Sequence, residues 1–250
     1  MDLDINKLGI IGGSGLDNPK IISNAEDVEI VTRYGAPSSL LKCGTIHNKE
    51  VVLVSRHGRD HSITPHSVNN AANIQSLIDM GCDAIITTTA VGSLREKIKR
   101  GDLVIVDQFI DFTKHRKTTV LNDFEKNPHT PMSDPFDAHL RNLLINSCSE
   151  SGLDYHSSGT VVTIEGPRFS TRAESLMFRS FGADIINMTT SPECIIANEL
   201  EIPFAAVAMS TDYDCWKEDE DPVSWDDILL TFERNSKNVI NMLQCFIKHL

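Results

Sequence analysis

Phe204-Ala205-Ala206-Val207-Ala208-Met209, then Ser210, then Thr211-Asp212-Tyr213-Asp214-Cys215-Trp216, is the stretch that decides how this chain is read. Its first six residues are wholly apolar, the pattern of a strand buried on both faces of a sheet. Two carboxylates, Asp212 and Asp214, stand where the run ends. In open α/β sheets, ligands bind in the crevice beyond the C-terminal ends of the strands. A pair of acids on alternate residues there either reads a base with a ring nitrogen and an exocyclic amino group, or forms a charged turn leading into the next helix.

Other segments repeat the same grammar on both sides. Leu8 to Ile11, Val51 to Ser55, Ala84 to Thr88, Leu103 to Ile110, Thr160 to Ile164 and Asp184 to Asn187 read as strands. Ile74, Leu77 and Ile78 fall at helical spacing, with Gly81 placed as a C-cap. Phe136 to Ser151, Arg172 to Phe181 and Pro192 to Leu200 read as helices. Trp225, Ile228, Leu229, Phe232, Val239, Ile240, Leu243 and Ile247 mark a long amphipathic helix, opened by a Ser224/Asp227 capping box. The alternation predicts an α/β fold around a mostly parallel sheet, built as one domain over residues 1–250.

Composition narrows the function. With 250 residues, 40% hydrophobic and 23% charged, the chain can bury a substantial core. A net charge of -12 speaks against nucleic acid as partner, because phosphate backbones demand clustered Lys and Arg. A small anion needs only one local cationic pocket. No apolar run approaches the ~20 residues of a membrane span, and Met1-Asp2-Leu3-Asp4 lacks the pattern of a signal peptide. Six scattered cysteines without a C-x-x-C pair fit a reducing, cytoplasmic setting.

Gly12-Gly13-Ser14-Gly15 closes the first strand and turns either backbone N–H groups toward an anion or a tight bend. The dinucleotide fingerprint fails, since Asn18 and Pro19 stand where its third glycine and helix belong. Arg56-His57 ends the second strand and Thr88-Thr89-Ala90 the third. Arginine supplies a planar fork and Thr89 a hydroxyl, both suited to phosphate oxygens. Three strand ends with matching chemistry predict a shared oxyanion pocket. His57, His61 and His66, with Asp60, also suggest a metallohydrolase, but Gly58 and Pro65 oppose the helix that would align two imidazoles.

Seven motifs in order carry a resemblance along nearly the whole chain. They are Ile10 to Leu16, Arg56 to Arg59, Thr88 to Arg95, Gly101 to Asp111, Thr163 to Ser175, Asn187 to Glu193 and Thr211 to Trp216. Together they resemble the trimeric purine nucleoside phosphorylases, the 5'-methylthioadenosine phosphorylases most of all. The resemblance implies one α/β domain around a mixed, twisted sheet, assembled as a homotrimer. It implies phosphorolysis: inorganic phosphate, as co-substrate, displaces adenine from 5'-methylthioadenosine, with no metal or organic cofactor. By the same resemblance Ser14, Arg56, His57, Thr89, Ala90 and Thr189 hold phosphate. Met188 meets the ribose, Phe169 and Ser170 the base, and Asp212 and Asp214 read the purine. Trp225, Ile228 and Leu229 line the 5' pocket, and His129 reaches into a neighbouring subunit's 5' pocket.

Those residue types suit the chemistry. Cleaving ribose from purine leaves positive charge on the sugar and negative charge on the base, so an acid is needed at the base and an anion beside the sugar. Asp212 is the candidate acid. Burial under Phe169 and the like charge of Asp214 are expected to help it keep a proton. Proton delivery through water is the alternative. Carboxylates as acceptors favour 6-aminopurines over 6-oxopurines. Trp225, bulkier than the aliphatic residue common in relatives, leaves the 5' group preference open. Three other readings remain: a nucleoside phosphorylase of broader or 6-oxopurine preference, a hydrolase using water, and a non-catalytic nucleoside-binding module.

Overall fold

The computed structural model describes residues 4–13, 16, 21–121, 129–218 and 225–250, with the side chains of 225–230 and 232–235 not described. Eleven strands and five helices follow one another among these residues. The strands are β1 (Lys7–Gly12), β2 (Ser23–Val28), β3 (Leu41–Ile46), β4 (Lys49–Ser55), β5 (Ala84–Ser93), β6 (Leu103–Ile105), β7 (Gln108–Phe112), β8 (Tyr155–His156), β9 (Thr160–Ile164), β10 (Ile185–Asn187) and β11 (Phe204–Asp212). The helices are α1 (Asn70–Asp79), α2 (Ala138–Glu150), α3 (Arg172–Ser180), α4 (Thr190–Glu199) and α5 (Trp225–Lys248).

The sheet is mixed. Its order is β2-β3-β4-β1-β5-β10-β9-β7, and β11 branches from β5 to carry β6 and β8. β1 lies parallel to β4 and β5, and β11 parallel to β5. The antiparallel pairs are β2–β3, β3–β4, β10–β5 and β11–β6. Strand–helix alternation points to a mostly parallel sheet, and six of the ten strand pairings among the described residues are parallel; the four antiparallel ones make it mixed. β2 carries no apolar run: five of its six residues are exposed, so nothing in its pattern marks a strand.

Period-two alternation splits the core into two layers. Ile10, Ile86, Ala205, Val207 and Met209 face Leu140, Leu144, Leu243 and Phe246 on α2 and α5. Ile11, Ile85, Ala206 and Ala208 face Ile74, Leu77 and Ile196 on α1 and α4. Phe178 of α3 packs in a third cluster with Val162 and Ile186. Each fully buried Leu, Ile or Phe side chain contributes roughly 1.5–3 kcal/mol.

The segment read as one strand from Leu103 to Ile110 is two. Its first part pairs with β11 and its second with β9. Between them the Val106 carbonyl accepts from Arg141 Nε at 3.0 Å, and Asp107 Oδ1 accepts from the Gly159 N–H at 2.9 Å. The chain thus crosses from one arm of the sheet to the other. The helix expected from Pro192 begins two residues earlier, at Thr190, with Pro192 in its first turn. Ser224, and with it the capping box at the start of α5, lies outside the described residues.

Candidate active site

β5 creates the site by being longer than any apolar run predicts. Its first half pairs with β1 through Ala84 to Thr87, and its far end turns back to pair with β10 at Gly92 and Ser93. Between these contacts Thr88 to Val91 are paired to β11 on the other edge, but to no strand on this one among the described residues. A cavity of ≈ 400 Å³ adjoins this gap, lined by Thr89, Ala90, Val91 and Gly92 of β5. Arg56, His57, His61 and Pro65 join it from the segment after β4, and Ile186 to Thr189 from β10 and the start of α4. Ile164, Pro167, Phe169, Ser170, Thr211, Asp212 and Asp214 complete the lining. The volume falls in the range of roughly 300–1,000 Å³ usual for small-molecule sites.

Arg56 is 1% exposed and heavily committed. Its Nε donates to Glu193 Oε1 at 2.5 Å, and Nη2 to Glu193 Oε2 at 3.2 Å and Thr87 Oγ1 at 2.5 Å. Nη1 donates to the Thr88 carbonyl at 3.0 Å. A guanidinium has five N–H donors, so one Nη1 proton is left over among these bonds. Arg56 is therefore less a free phosphate fork than a fixed charge behind the pocket. Glu193, itself 1% exposed, holds it there; its Oε2 also accepts from Thr87 Oγ1 at 2.8 Å. Sequence reading alone gives Glu193 no role, although it ends one of the seven motifs. The signal that could find it is chemical: a buried arginine needs a carboxylate partner, which the fold brings from 137 residues away.

His57 Nδ1 lies 2.8 Å from the Ile63 carbonyl. A carbonyl can only accept, so Nδ1 bears the proton and Nε2 is left as an acceptor. Burial first, and the Arg56 charge second, push the ring down to about 3, so it is neutral at physiological pH. Its ring lies 4.7 Å from that of His61. No group of three metal-ligating side chains forms around these histidines among the described residues.

Thr89 and Thr189, a hundred residues apart, come within 3.4 Å through their hydroxyls. Asn187 is the organiser. Its amide donates to Thr89 Oγ1 at 3.1 Å and Thr190 Oγ1 at 2.6 Å, while its carbonyl oxygen accepts from Thr163 Oγ1 at 2.8 Å. Thr189 is the N-cap of α4 yet makes no capping bond through its side chain, which leaves the hydroxyl to the site. The helix N-terminus itself favours an anion. On the other side Gly13 seats the β1 end: its N–H donates to Thr88 Oγ1 at 3.2 Å, and a Cβ there would stand 2.5 Å from the Thr88 carbonyl oxygen.

The two aspartates sit at the end of β11. Register with β5 slips by one residue between Ser210 and Asp212, which places Asp212 opposite Gly92. Such irregularities re-aim side chains beside active sites. Asp212 is thus the last residue of the strand, not the first beyond it, and Asp214 opens a short 3₁₀ turn with φ +49°. Asp212 Oδ2 accepts from Thr211 Oγ1, and Oδ1 from the Asp214 N–H, each at 2.7 Å. A Cβ at Gly92 would meet Asp212 Oδ1 at 3.0 Å, so any larger residue there would push the carboxylate back from β5. Burial raises Asp212 to about 6, against the pull of those two hydrogen bonds; the Asp214 charge adds to the rise. Asp214 is also raised by burial, but Ser170 Oγ contacts both its oxygens at 2.8 Å and favours its ionised form.

Phe169, 45% exposed, lines the same cavity as Asp212. The loop bearing Phe169 and Ser170 is anchored at α3, where Thr171 and Glu174 form a capping box. Glu174 is drawn down to about 2 by its bonds to Arg168 and the Thr171 N–H.

The cavity therefore unites Arg56, His57, Thr89, Ala90, Thr189, Met188, Phe169, Ser170, Asp212 and Asp214. Ser14 and the side chains of Trp225, Ile228 and Leu229 lie outside what is described. His129 is exposed and is not part of this cavity's lining.

The family model described as the phosphorylase superfamily matches residues 7–248. The chain belongs to that superfamily. Two S-methyl-5'-thioadenosine phosphorylases, from Xenopus tropicalis and Danio rerio, are 50% and 49% identical to it over 95% of this chain and 86% of their own length. Among solved structures, methylthioadenosine phosphorylase from Schistosoma mansoni in complex with adenine superposes with a TM-score of 0.92 at 36% identity, covering 96% of this chain and 90% of that one. A mutant of that enzyme in complex with methylthioadenosine gives 0.89 at 35% identity, with the same coverage. These likenesses bear out the nucleoside phosphorylase fold of a single α/β domain.

Proposed function

We propose that this phosphorylase cleaves 5'-methylthioadenosine with inorganic phosphate, giving adenine and 5-methylthioribose-1-phosphate. One observation carries the reading: a single cavity joins anion-suited donors on β5 and α4 to an aspartate that burial raises to about 6, within reach of neutral pH for proton transfer to a leaving base. The similarity to enzymes named for this substrate supports it.

In this mechanism phosphate lies against the open edge of β5, held by the Thr89 and Thr189 hydroxyls, the Ala90 amide and the remaining Arg56 proton, with Ser14 closing the cradle. His57 Nε2, an acceptor, takes a hydrogen bond from the P–OH of hydrogen phosphate and stays neutral. Holding the anion in line with the scissile bond makes the attack effectively unimolecular. Met188 contacts the ribose. As the bond lengthens, phosphate balances the growing positive charge on the sugar. Asp212 protonates the imidazole ring of the departing purine, and Asp214, whose two oxygens Ser170 Oγ holds, accepts from its amino group. Phe169 covers one edge of the base, while Trp225, Ile228 and Leu229 line the 5' pocket. The reaction asks for no metal or organic cofactor.

The proposal extends to a cytoplasmic homotrimer serving purine and methionine salvage, with residues 1–250 as one domain and His129 completing a neighbour's 5' pocket. His129 is exposed and takes no part in lining its own cavity, which suits such a role, and six free thiols fit the reducing compartment. Among the described residues no helix is long and apolar enough to cross a membrane.

The test is base release from methylthioadenosine, adenosine, inosine and methylthioinosine, each with and without phosphate. Adenine release from methylthioadenosine that requires phosphate is expected. Equal release without phosphate makes the enzyme a hydrolase, and faster release from the inosine forms overturns the assignment of Asp214.

A further inference from the structure

Away from the cavity, the ends of α2 and α5 bring together three side chains that the reaction leaves unused. Glu150 is the last residue of α2; Cys245 lies in the last turn of α5 and His249 follows directly after it, four residues on. A carboxylate oxygen, a thiol sulfur and an imidazole nitrogen here all lie within 4.8 Å of one another. Glu150 Oε2 is 2.7 Å from His249 Nε2 and 3.5 Å from Cys245 Sγ. None of the three lines the active-site cavity.

We propose that Glu150, Cys245 and His249 bind a zinc ion that clasps the C-terminal helix to α2, with water as fourth ligand.

The donor set comes first. Thiolate plus imidazole selects a borderline-soft ion with tetrahedral preference, and carboxylate is compatible with it. Calcium and magnesium, which need oxygen ligands, are excluded by the same set. Geometry comes second. Spacing of i and i+4 puts Cys245 and His249 on one face of α5. A tetrahedral zinc with Zn–S near 2.3 Å and Zn–O and Zn–N near 2.1 Å places sulfur about 3.6 Å from oxygen, and nitrogen about 3.4 Å from oxygen. The sulfur–oxygen distance already fits. The nitrogen and oxygen, now joined by a hydrogen bond, have to part by roughly 0.7 Å, a small rotamer adjustment for side chains 40% and 54% exposed.

The local field comes third. α2 ends at Glu150, and α5 ends at Lys248 beside His249, so two carbonyl-bearing C-termini converge on the site. That end of a helix carries partial negative charge and favours a cation. Lys248 is the opposing cation. Cys148 is fully buried and is not among the three clustered groups.

The experiment titrates the chelator-stripped full chain with Zn²⁺ against a chromophoric competitor, and with Co²⁺ followed by its electronic spectrum. One ion per chain is expected, with a thiolate-to-cobalt charge-transfer band and a melting temperature raised by zinc. Loss of an outer-sphere partner costs 10–100-fold in metal affinity, so Cys245→Ser and His249→Ala should each cost more than about 100-fold. Both variants should keep the parent's base release and lose the zinc-dependent rise in melting temperature. Zinc binding retained in Cys245→Ser, or a cobalt spectrum without the thiolate band, overturns the proposal, as does failure of the parent chain to compete for the metal.

Discussion

Replacing Asp212 by Asn isolates the cost of holding a carboxyl group where the base must bind. In the folded chain this group titrates at about 6, raised by burial from an ordinary value of 3.8. Raising a pKa by one costs the ionised form about 1.36 kcal/mol, so the ionised folded state carries a penalty of up to about 3 kcal/mol. The sign follows from proton binding. Between 3.8 and about 6 the folded chain holds a proton that the unfolded chain has released. Stability from this group is therefore complete below 3.8, falls as pH rises, and is gone above about 6. Asn never ionises, and its amide can still accept from the Asp214 N–H and donate to Thr211 Oγ1. The variant should thus gain on the parent as pH rises, by about 1 kcal/mol at pH 4.5 and up to about 3 kcal/mol at pH 8. Water in the cavity screens the charge, so the upper figure is a ceiling. At roughly 2–4 °C per kcal/mol for a chain of this size, melting should show a pH-dependent gap of several degrees. The matched assay is adenine release, which should collapse in the same variant. A stability difference that does not change with pH, or one that favours the parent above pH 6, would refute the idea that burial loads Asp212.

Three further substitutions probe the frame. Glu193→Ala strands the Arg56 guanidinium in a dry interior and should cost about 3–5 kcal/mol by denaturant unfolding; an exposed-pair value below about 1 kcal/mol contradicts the buried pairing. Gly92→Ala presses a methyl toward Asp212 Oδ1, 3.0 Å away, and Ile186 Cγ2, 3.1 Å away. It should lower kcat/KM at least about tenfold, since small misplacements near the chemistry act that strongly, while stability falls by only about 1–3 kcal/mol. Asn187→Leu removes the link between Thr89 and Thr189 and should raise the KM for phosphate more than that for the nucleoside; equal rises would assign Asn187 to general packing.

The strand ends were legible because their chemistry is local. An apolar run that stops at Arg56-His57 or at Thr88-Thr89 announces both a strand and a polar crevice. The β9 boundaries, Thr160 to Ile164, came out of β-branched residues alone. What stayed hidden depends on pairing. β2 is exposed and polar, and becomes a strand only because β3 offers it an edge. β5 reads as five apolar and threonine residues, yet runs for ten, because β11 holds its second half in register. Glu193 escaped notice for the same reason: its partner lies 137 residues away, and only the sheet brings them together.

On the proposed mechanism, the division of labour between the two aspartates follows from their neighbours. Both are desolvated, and both are raised by it. Environments that push two titratable groups apart assign the acid and the base. Asp214 meets a Ser170 hydroxyl shared between its two oxygens, at a turn with positive φ that points the side chain into the loop before α3. That bond is made to a carboxylate and favours the charged form. Asp212 is held from behind, by its own neighbour Thr211 and by the Asp214 amide, and it feels Asp214 as a like charge. Ionising one makes ionising the other harder, so the proton that the pair retains resides on Asp212. The register slip at Thr211 then has a chemical consequence: without the extra residue Asp212 would not stand opposite Gly92, and the retained proton would not face the cavity.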